Sequence, residues 1–424
     1  MSGPEVLPYN GGVESRAREL EPRPFENTII ALDVDGVLVR PVAYRQAVRS
    51  TITFFAKQLG VDPEGFMVDD RNRASGRNMS HFEAEGIHDP WDVSAIVVSL
   101  MELKKAGIDV SNGDALGAFQ INSSPQSHPP EVVLRYLRSK YQRAVPDTIR
   151  HITRTLSKTR DPFSNEVTSI FQEYVLGKDA FKTTYGKESR TGEEVSLIRT
   201  KDRSLIDDRG RKDLDEISQG GGMVVIYTGR PGLPPYDAQR RPFDGYAPEA
   251  ELAVEKSKVK PIGIVSMGSM EWLGRVKKTP VESLTKPNPT QALAAILSAL
   301  RRKTDMRVLM DAYEWGRTGK VPNELQPFTE DAAKKLELVV VEDSPSGIRA
   351  FINAKKILES KGINVSLTAI GVHDRNYDEK HTAFRRLESE EGVPVDTYTD
   401  INPGINRFNF NGRDRIRIKG SSEF

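Results

Sequence analysis

Two aspartates stand at the end of an apolar run that predicts a buried β-strand. The run begins at Thr28, and Asp33 and Asp35 follow it, separated by one valine. Because alternate side chains of a strand point to the same face, we expect both carboxylates to project together at one sheet edge. Such a pair is unfavourable unless a cation or a reacting phosphate balances it. Gly36 then allows a sharp turn beside the pair.

The same residues also have an ordinary structural interpretation. Aspartate and glycine are common in turns, so residues 33–36 alone could be no more than a strand-to-loop turn. A calcium loop of the EF-hand type is excluded, because Val37 stands where that pattern requires aspartate or asparagine. The catalytic interpretation therefore depends on partners further along the chain.

Three downstream segments supply such partners. Each follows an apolar stretch or opens a helix, and the carboxyl ends of parallel strands meet at one edge of an α/β sheet. We therefore expect all of them to converge with the two aspartates. The segments are Thr228-Gly229-Arg230, Lys286, and Glu342-Asp343.

These residue types suit phosphoryl transfer. Asp33 would attack phosphorus and form an aspartyl-phosphate, while Asp35 protonates the leaving oxygen and then deprotonates the hydrolytic water. The Thr228 hydroxyl and the Gly229 amide would bind the phosphoryl oxygens. Lys286 would balance the negative charge of Asp33 and of the transferred group.

The acidic residues predict a metal site. Asp33, Asp35, Glu342 and Asp343 would repel one another at a shared edge, so the site needs a hard divalent cation, and oxygen ligands favour Mg²⁺. Each segment alone has a simpler role, such as a strand exit, a helix start or a helix cap. Arg230 either reaches the substrate or pairs with a carboxylate.

The remaining pattern predicts the elements that position these residues. Further strands are expected at residues 222–230, 261–267, 336–343 and 366–372, alternating with helices, which is typical of a doubly wound, mostly parallel sheet. Between the first strand and about residue 211 the pattern is helical. Helices are predicted at 41–60, 89–106, 130–142, 147–157, 165–176 and 212–219. A loop is predicted at 109–130.

Composition narrows the class of protein. The chain has 424 residues, 61 basic and 60 acidic, with a net charge of +1, so no general attraction to nucleic acid or to a membrane is implied. It has no cysteine, which removes disulfides and thiol nucleophiles. Residues 1–24 are expected to be a flexible leader without the apolar core of a signal peptide. A soluble cytoplasmic protein is the expectation, and a homo-oligomer stays open.

Four motifs in order give the chain a resemblance to a known family. It resembles the haloacid dehalogenase superfamily, in the phosphatase and phosphomutase branch of subfamily I. The motifs are Asp33-Val-Asp-Gly-Val, Ile226-Tyr-Thr-Gly-Arg, Lys286-Pro-Asn-Pro and Val341-Glu-Asp-Ser-Pro-Ser-Gly-Ile. Asp35 argues against a dehalogenase, whose members differ at that position.

The resemblance implies a fold, an activity and a metal. It implies a Rossmann-like core with a helical cap inserted after the first motif. It also implies Mg²⁺ held by Asp33, the backbone carbonyl of Asp35, and Asp343, with Glu342 as a ligand or a neighbouring acid. The segments that this assigns are a core at 25–40 and 212–404, a cap at 41–211, and a hairpin and tail at 405–424.

Several features depart from the family pattern. The cap is larger than usual, and residues 306–328 form an insertion with a strand-like segment at 307–310. Asp311 and Glu314 in that insertion are expected to be solvated. Lys277 and Lys278 compete with Lys286, but only Lys286 leads into a helix through Pro-Asn-Pro.

Some cap residues and the tail leave two interpretations open. His81 and His88 would line a substrate pocket or lie in the core or at the surface, and Trp91 is expected to pack in the core. Residues 407–418 predict a β-hairpin around Asn411-Gly412. Its arginines would be solvated or would meet an anion or a partner subunit.

These observations predict a Mg²⁺-dependent phosphatase acting on a small phosphorylated metabolite. A sugar phosphate is one substrate of this kind. Two alternatives stay open at this point. A phosphomutase would use the same residues and return the phosphoryl group to another hydroxyl. A catalytically weak phosphate-binding regulatory module would keep the fold without turnover.

Overall fold

The computed structural model describes residues 23–67, 82, 87, 89–122, 128–331, 333–373 and 378–406 of the chain. The strands in these ranges are β1 (Thr28–Leu32), β2 (Val39–Arg40), β3 (Arg203–Ser204), β4 (Met223–Tyr227), β5 (Ile264–Val265), β6 (Leu336–Glu342), β7 (Val365–Val372) and β8 (Val395–Tyr398). Six of them form one sheet in the order β5-β4-β1-β6-β7-β8. Every neighbouring pair in this sheet is parallel.

Helices account for most of the other described residues. Those before β4 are α1 (Val42–Leu59), α2 (Pro90–Lys105), α3 (Asn112–Asn122), α4 (Pro129–Tyr141), α5 (Pro146–Thr155), α6 (Glu166–Leu176), α7 (Lys178–Tyr185), α8 (Leu197–Lys201) and α9 (Asp208–Gln219). Those after β4 are α10 (Glu249–Ser257), α11 (Met267–Lys277), α12 (Pro289–Arg301), α13 (Met306–Thr318), α14 (Gln326–Glu330), α15 (Pro345–Glu359) and α16 (Asp378–Glu391). Short 3₁₀ turns lie at Glu64–Phe66, Val281–Ser283 and Asn323–Leu325.

The order of the strands places a switch point at β1. From β1 the chain goes outward on one side through β4 to β5, and then returns to β6 on the other side and continues to β7 and β8. In open α/β sheets, ligands bind beyond the carboxyl ends of the strands at such a reversal. The predicted fold class, α/β with a doubly wound parallel sheet, is confirmed.

The central strands β1 and β4 are buried on both faces, and this is why they are unbroken apolar runs in the sequence. Along β1, Ile29 and Ala31 point to one face, where α12, α13, α15 and α16 pack. Ile30 and Leu32 point to the other face, which α9 and α10 help to cover. The alternation follows from the two-residue period of a strand.

A helical insertion, residues 41–202, leaves and rejoins the core through a two-stranded ribbon. In this ribbon β2 and β3 run antiparallel, with Val39 opposite Ser204 and Arg40 opposite Arg203. Helices α1 to α8 lie between the two strands, and α1 packs against α2, α6 and α8. No helix in the described part of the chain combines the length and the apolar character needed to cross a membrane.

The helices predicted before β4 are found close to their predicted bounds. Helix α2 begins after Asp89, whose side chain accepts a hydrogen bond from the Trp91 amide at 2.9 Å. Helix α1 ends at Gly60, which has the left-handed conformation common at helix ends. Helix α9 begins earlier than predicted, at Asp208, because Asp207 caps it by accepting from the Gly210 amide.

The prediction of a loop at 109–130 is wrong over part of that range, because α3 occupies Asn112–Asn122. Ser111 and Asp114 stabilise its start, with the Ser111 amide donating to the Asp114 carboxylate at 2.9 Å. Ala115 and Ala118 are buried, and the helix packs against α4. Tertiary packing therefore outweighs the serine, asparagine and glycine content of the segment.

The prediction of a strand-like segment at 307–310 is also wrong, because α13 spans Met306–Thr318. Asp305 caps this helix by accepting from the Val308 amide at 2.8 Å, and one side of the helix is buried in the core. Two acids in it form ion pairs: Asp311 pairs with Arg301, and Glu314 with Lys277.

The strand predicted at 261–267 is shorter in the structure. Only Ile264–Val265 pairs with β4, and α11 begins at Met267. Four other predictions concern residues outside the described ranges: the leader up to residue 22, His81, His88 and the hairpin at 407–418.

Candidate active site

The first aspartate of the site is fixed between two strands. Asp33 follows β1, and its amide donates to the Val341 carbonyl of β6 at 3.0 Å. Its side chain is almost fully buried, with 8% exposed. Asp35 lies two residues further on, where the chain turns back to pair with Val39, and its side chain is 32% exposed.

Gly36 brings this turn against the end of β6. Its φ is +72°, in the left-handed region that favours glycine. A Cβ atom at this position would lie 2.5 Å from Oδ2 of Asp343. The glycine is therefore required both by the backbone conformation and by the close approach of Asp343.

Lys286 reaches the centre of the site from the segment before α12. Its Nζ lies 2.9 Å from Oδ1 of Asp33 and 2.5 Å from Oε1 of Glu342. The same atom lies 3.9 Å from the centre of the Tyr227 ring. Of the three competing lysines, Lys277 instead pairs with Glu314. The expectation that Lys286 meets Asp33 therefore agrees with the geometry.

Glu342 is completely buried and has a hydrogen-bond partner on each oxygen. Its Oε1 accepts from Lys286 and from the Tyr227 hydroxyl, the latter at 2.6 Å. Its Oε2 accepts from the Ser344 hydroxyl at 2.9 Å. This carboxylate therefore holds Lys286 in place against Asp33.

Asp343 completes a group of three carboxylates at the ends of β1 and β6. One oxygen from each of Asp33, Glu342 and Asp343 lies within 4.8 Å of the others. The side chain of Asp343 is 21% exposed, and its Oδ2 contacts Nζ of Lys380 at 2.5 Å. Lys380 is an exposed residue of α16 and was not predicted from the sequence.

Burial has the largest effect on the pKa values of this group, and the neighbouring lysines oppose it. Burial raises the pKa of Asp33 to about 7, although the neighbouring Lys286 charge opposes the shift. Burial likewise raises the pKa of Asp343 to about 6, against the effect of Lys380. Burial disfavours the charge of Lys286, but Asp33 and Glu342 outweigh it and raise the pKa of that lysine.

The residues present fit a magnesium ion. Their donors are hard carboxylate oxygens, which is the chemistry that Mg²⁺ prefers. Burial raises the pKa values of Asp33 and Asp343 even though Lys286 and Lys380 lie beside them. A further cation beside these two carboxylates would stabilise their ionised forms.

Thr228 and Gly229 follow β4, the strand next to β1. Thr228 is buried, and its carbonyl accepts from the side-chain amide of Gln291 at 2.9 Å. Its hydroxyl oxygen accepts from the Arg230 amide at 3.3 Å, which leaves the hydroxyl proton free to be donated. Gly229 is exposed, and a Cβ there would meet no atom within 4 Å.

Arg230 pairs with carboxylates, which is one of the two roles that the sequence left open. Its Nε lies 2.8 Å from Oδ1 and 2.9 Å from Oδ2 of Asp35, and Nη2 lies 2.5 Å from Oδ1. Nη2 also lies 3.0 Å from Asp202. The residue is only 2% exposed. Its guanidinium group is therefore directed at Asp35 and Asp202.

A second buried polar group lies beyond Arg230. The ring of Tyr44 covers the guanidinium, with 4.9 Å between the ring centre and Cζ. The Tyr44 hydroxyl donates to Glu249, which also accepts from Gln172 at 3.0 Å. Burial raises the pKa of Glu249 to about 7. These contacts join α1 and α6 of the insertion to α10 of the core.

Sequence reasoning missed Tyr227, Asp202, Tyr44, Glu249 and Lys380. Tyr227 directly precedes Thr228 in a predicted strand of the doubly wound sheet, so its hydroxyl could have been expected to need a partner. The other four residues stand in segments whose local pattern is ordinary. Their positions depend on packing between distant segments.

The comparisons with known proteins show the fold alone. No protein-family model matches the chain, and no curated protein matches it. A crystal structure of a structural-genomics target matches with a TM-score of 0.57 at 14% identity, over 91% of this chain and 99% of that one. A phosphatase from Thermococcus thioreducens, Tt82, matches with a TM-score of 0.38 at 14% identity, over 86% and 100%.

Proposed function

We propose that the protein is a magnesium-dependent phosphatase that hydrolyses a small phosphorylated metabolite through an aspartyl-phosphate on Asp33. The observation that carries the proposal is the contact of Lys286 with both Asp33 and Glu342 beside Asp343. These residues come from three distant segments and meet at the switch point of the sheet. The proposal includes membership of the haloacid dehalogenase superfamily, on the four motifs.

Asp33 and Asp343 would hold the magnesium ion directly, together with the backbone carbonyl of Asp35. Glu342 would contribute its charge nearby, since both of its oxygens already accept hydrogen bonds. When bound, the ion would neutralise charge on the phosphoryl group and keep the carboxylates ionised.

The first step transfers the phosphoryl group to the protein. An oxygen of Asp33 forms a bond to phosphorus as the bond to the leaving oxygen breaks, and Asp35 gives that oxygen its proton. Lys286 reduces the repulsion between the Asp33 carboxylate and the incoming phosphate. The Thr228 hydroxyl and the Gly229 amide donate hydrogen bonds to the phosphoryl oxygens.

The second step regenerates the carboxylate. Asp35, now ionised, takes a proton from a water molecule as the water oxygen attacks phosphorus. The bond between phosphorus and Asp33 breaks, and inorganic phosphate leaves. The proton that Asp35 lost in the first step is thereby restored, so the cycle balances.

The decisive experiment compares two aspartate-to-asparagine variants. A panel of phosphorylated metabolites is incubated with the wild type, D33N and D311N, with Mg²⁺ or with EDTA, and released phosphate is measured. Asp311 is a matched control, because it is an ion-paired aspartate that contacts Arg301 outside the site. We expect Mg²⁺-dependent release by the wild type and D311N, and none by D33N.

Two outcomes would contradict the proposal. Turnover by D33N at the wild-type rate would remove Asp33 as the nucleophile. Release of no phosphate, with an isomerised sugar phosphate detected by chromatography, would favour a mutase that uses the same residues.

A further inference from the structure

The chain crosses between the core and the helical insertion twice, and both crossings contact one buried carboxylate. Asp202 lies in the returning crossing, next to β3, and its side chain has no exposed surface. Its Oδ1 accepts from the Ala43 amide at 2.8 Å, and Ala43 is in the first turn of α1, just after the outgoing crossing. One side chain thus fixes the hinge of the insertion, defined here as residues 40–43 and 201–204.

The second oxygen of Asp202 extends this contact into the core. Oδ2 accepts from Nη2 of Arg230 at 3.0 Å, and the same Nη2 donates to Asp35 at 2.5 Å. Arg230 is buried, and Tyr44 of α1 lies against its guanidinium plane. The guanidinium is therefore held from three sides, by the hinge, by α1 and by Asp35.

The two carboxylates that share Arg230 differ in their freedom to move. The Asp202 side chain is fully buried, whereas that of Asp35 is 32% exposed. A buried ion without its partner is strongly unfavourable, so Asp202 keeps Arg230 in place. Asp35 has access to solvent and can meet a substrate from a position that the planar fork of Arg230 defines.

We propose that Arg230 and Asp202 are positioning residues that tie the hinge of the insertion to the orientation of the Asp35 carboxylate. This inference rests on the proposed function, in which Asp35 gives a proton to the leaving oxygen. A shift of the hinge moves Asp202, then Arg230 and then Asp35. The placement of the insertion therefore governs proton transfer by Asp35.

The test uses substrates that differ in their need for a proton. An alkyl phosphate has a poor leaving group and needs general-acid help. In 2,4-dinitrophenyl phosphate the leaving group is dinitrophenolate, which departs readily without a proton. In D202N the asparagine oxygen can still accept from Ala43, but the charge that holds Arg230 is lost. We expect D202N and R230K to lower kcat/KM for the alkyl ester about tenfold or more beyond any loss with the dinitrophenyl ester.

R301K provides a matched control for the arginine change. Arg301 is also largely buried and pairs with two carboxylates, Asp311 and Glu324, neither of which belongs to the candidate site. We expect R301K to change both esters by the same factor. Circular dichroism and the urea midpoint establish that each variant is folded, and R230K decides the matter if D202N does not fold.

The outcomes separate this inference from the function on which it rests. An equal loss on both esters in D202N and R230K, with D33N inactive, would overturn the positioning role and leave the phosphatase standing. A D33N variant as active as the wild type would overturn both. A selective loss on the alkyl ester, absent in R301K, is the result that supports the inference.

Discussion

Replacing Lys286 by methionine would remove the cation that Asp33 and Glu342 share, while keeping an unbranched apolar side chain. The side chains of all three residues are buried, with 12%, 8% and 0% exposed respectively. Removing one partner of a buried ion pair leaves an uncompensated charge, which costs about 3 to 5 kcal/mol. We therefore expect K286M to lower the free energy of unfolding by about that amount at pH 8.

The matched control is K277M. Lys277 pairs with Glu314, whose side chain is 46% exposed, so this pair is screened by solvent and its loss should cost about 1 kcal/mol or less. Both variants are unfolded in urea with EDTA present, so that no metal ion replaces the lost charge, and tryptophan fluorescence follows the transition.

The pH dependence gives a second check on the same variant. Burial raises the pKa of Asp33 to about 7, so stability associated with its neutral form is present at low pH and is lost as the pH rises through that value. Without Lys286 the pKa of Asp33 should rise further. The deficit of K286M, meaning the unfolding free energy that it loses relative to the wild type, should therefore be smaller at pH 5.5 than at pH 8. A deficit at pH 8 no larger than that of K277M would refute the reasoning.

Three further perturbations test other parts of the structure. G36A should lose phosphatase turnover, because its Cβ would lie 2.5 Å from Oδ2 of Asp343. G60A, at a φ of +67° with open space around it, should keep turnover and lose only about 1 to 2 kcal/mol of unfolding free energy. Equal turnover in both variants would contradict this. Mg²⁺ should raise the thermal midpoint of the wild type but not of D343N, measured by scanning calorimetry, and an equal rise would place the ion elsewhere. Burial raises the pKa of Glu249 to about 7, so the wild type should lose more stability between pH 5 and pH 8 than E249Q does. The gap in unfolding free energy in favour of E249Q should grow by up to about 3 kcal/mol, and a gap independent of pH would show that this carboxyl does not titrate there.

The sheet could be predicted because its strands are buried on both faces. Burial demands continuous apolar runs, and the runs ending at Leu32, Tyr227 and Glu342 stand out against the polar segments around them. Parallel pairing then places the residues after these runs at one edge. For this reason the meeting of Asp33 and Glu342 could be expected without coordinates.

Short elements were predicted less well, for a physical reason. Residues 307–310 are apolar enough for either a strand or a helix, and the choice is made by the Asp305 cap and by the core that buries Val308 and Trp315. Residues 112–122 carry turn-forming side chains, but packing against α4 stabilises them as a helix. In both cases the deciding contacts lie outside the segment itself.

The partners of the buried charges mark the limit of sequence reasoning here. A carboxylate at the end of a buried strand needs compensation, and that need is visible from the sequence alone. That need alone does not say which residue supplies it: Lys286 reaches Asp33 across 253 positions, and Arg230 reaches Asp35 across 195. For Lys286 a motif identified the supplier, because proline and a helix start follow it. For Arg230 the sequence left two roles open, and its pairing with Asp35 is held by Asp202, which reaches it because the ribbon of β2 and β3 returns the chain beside Ala43.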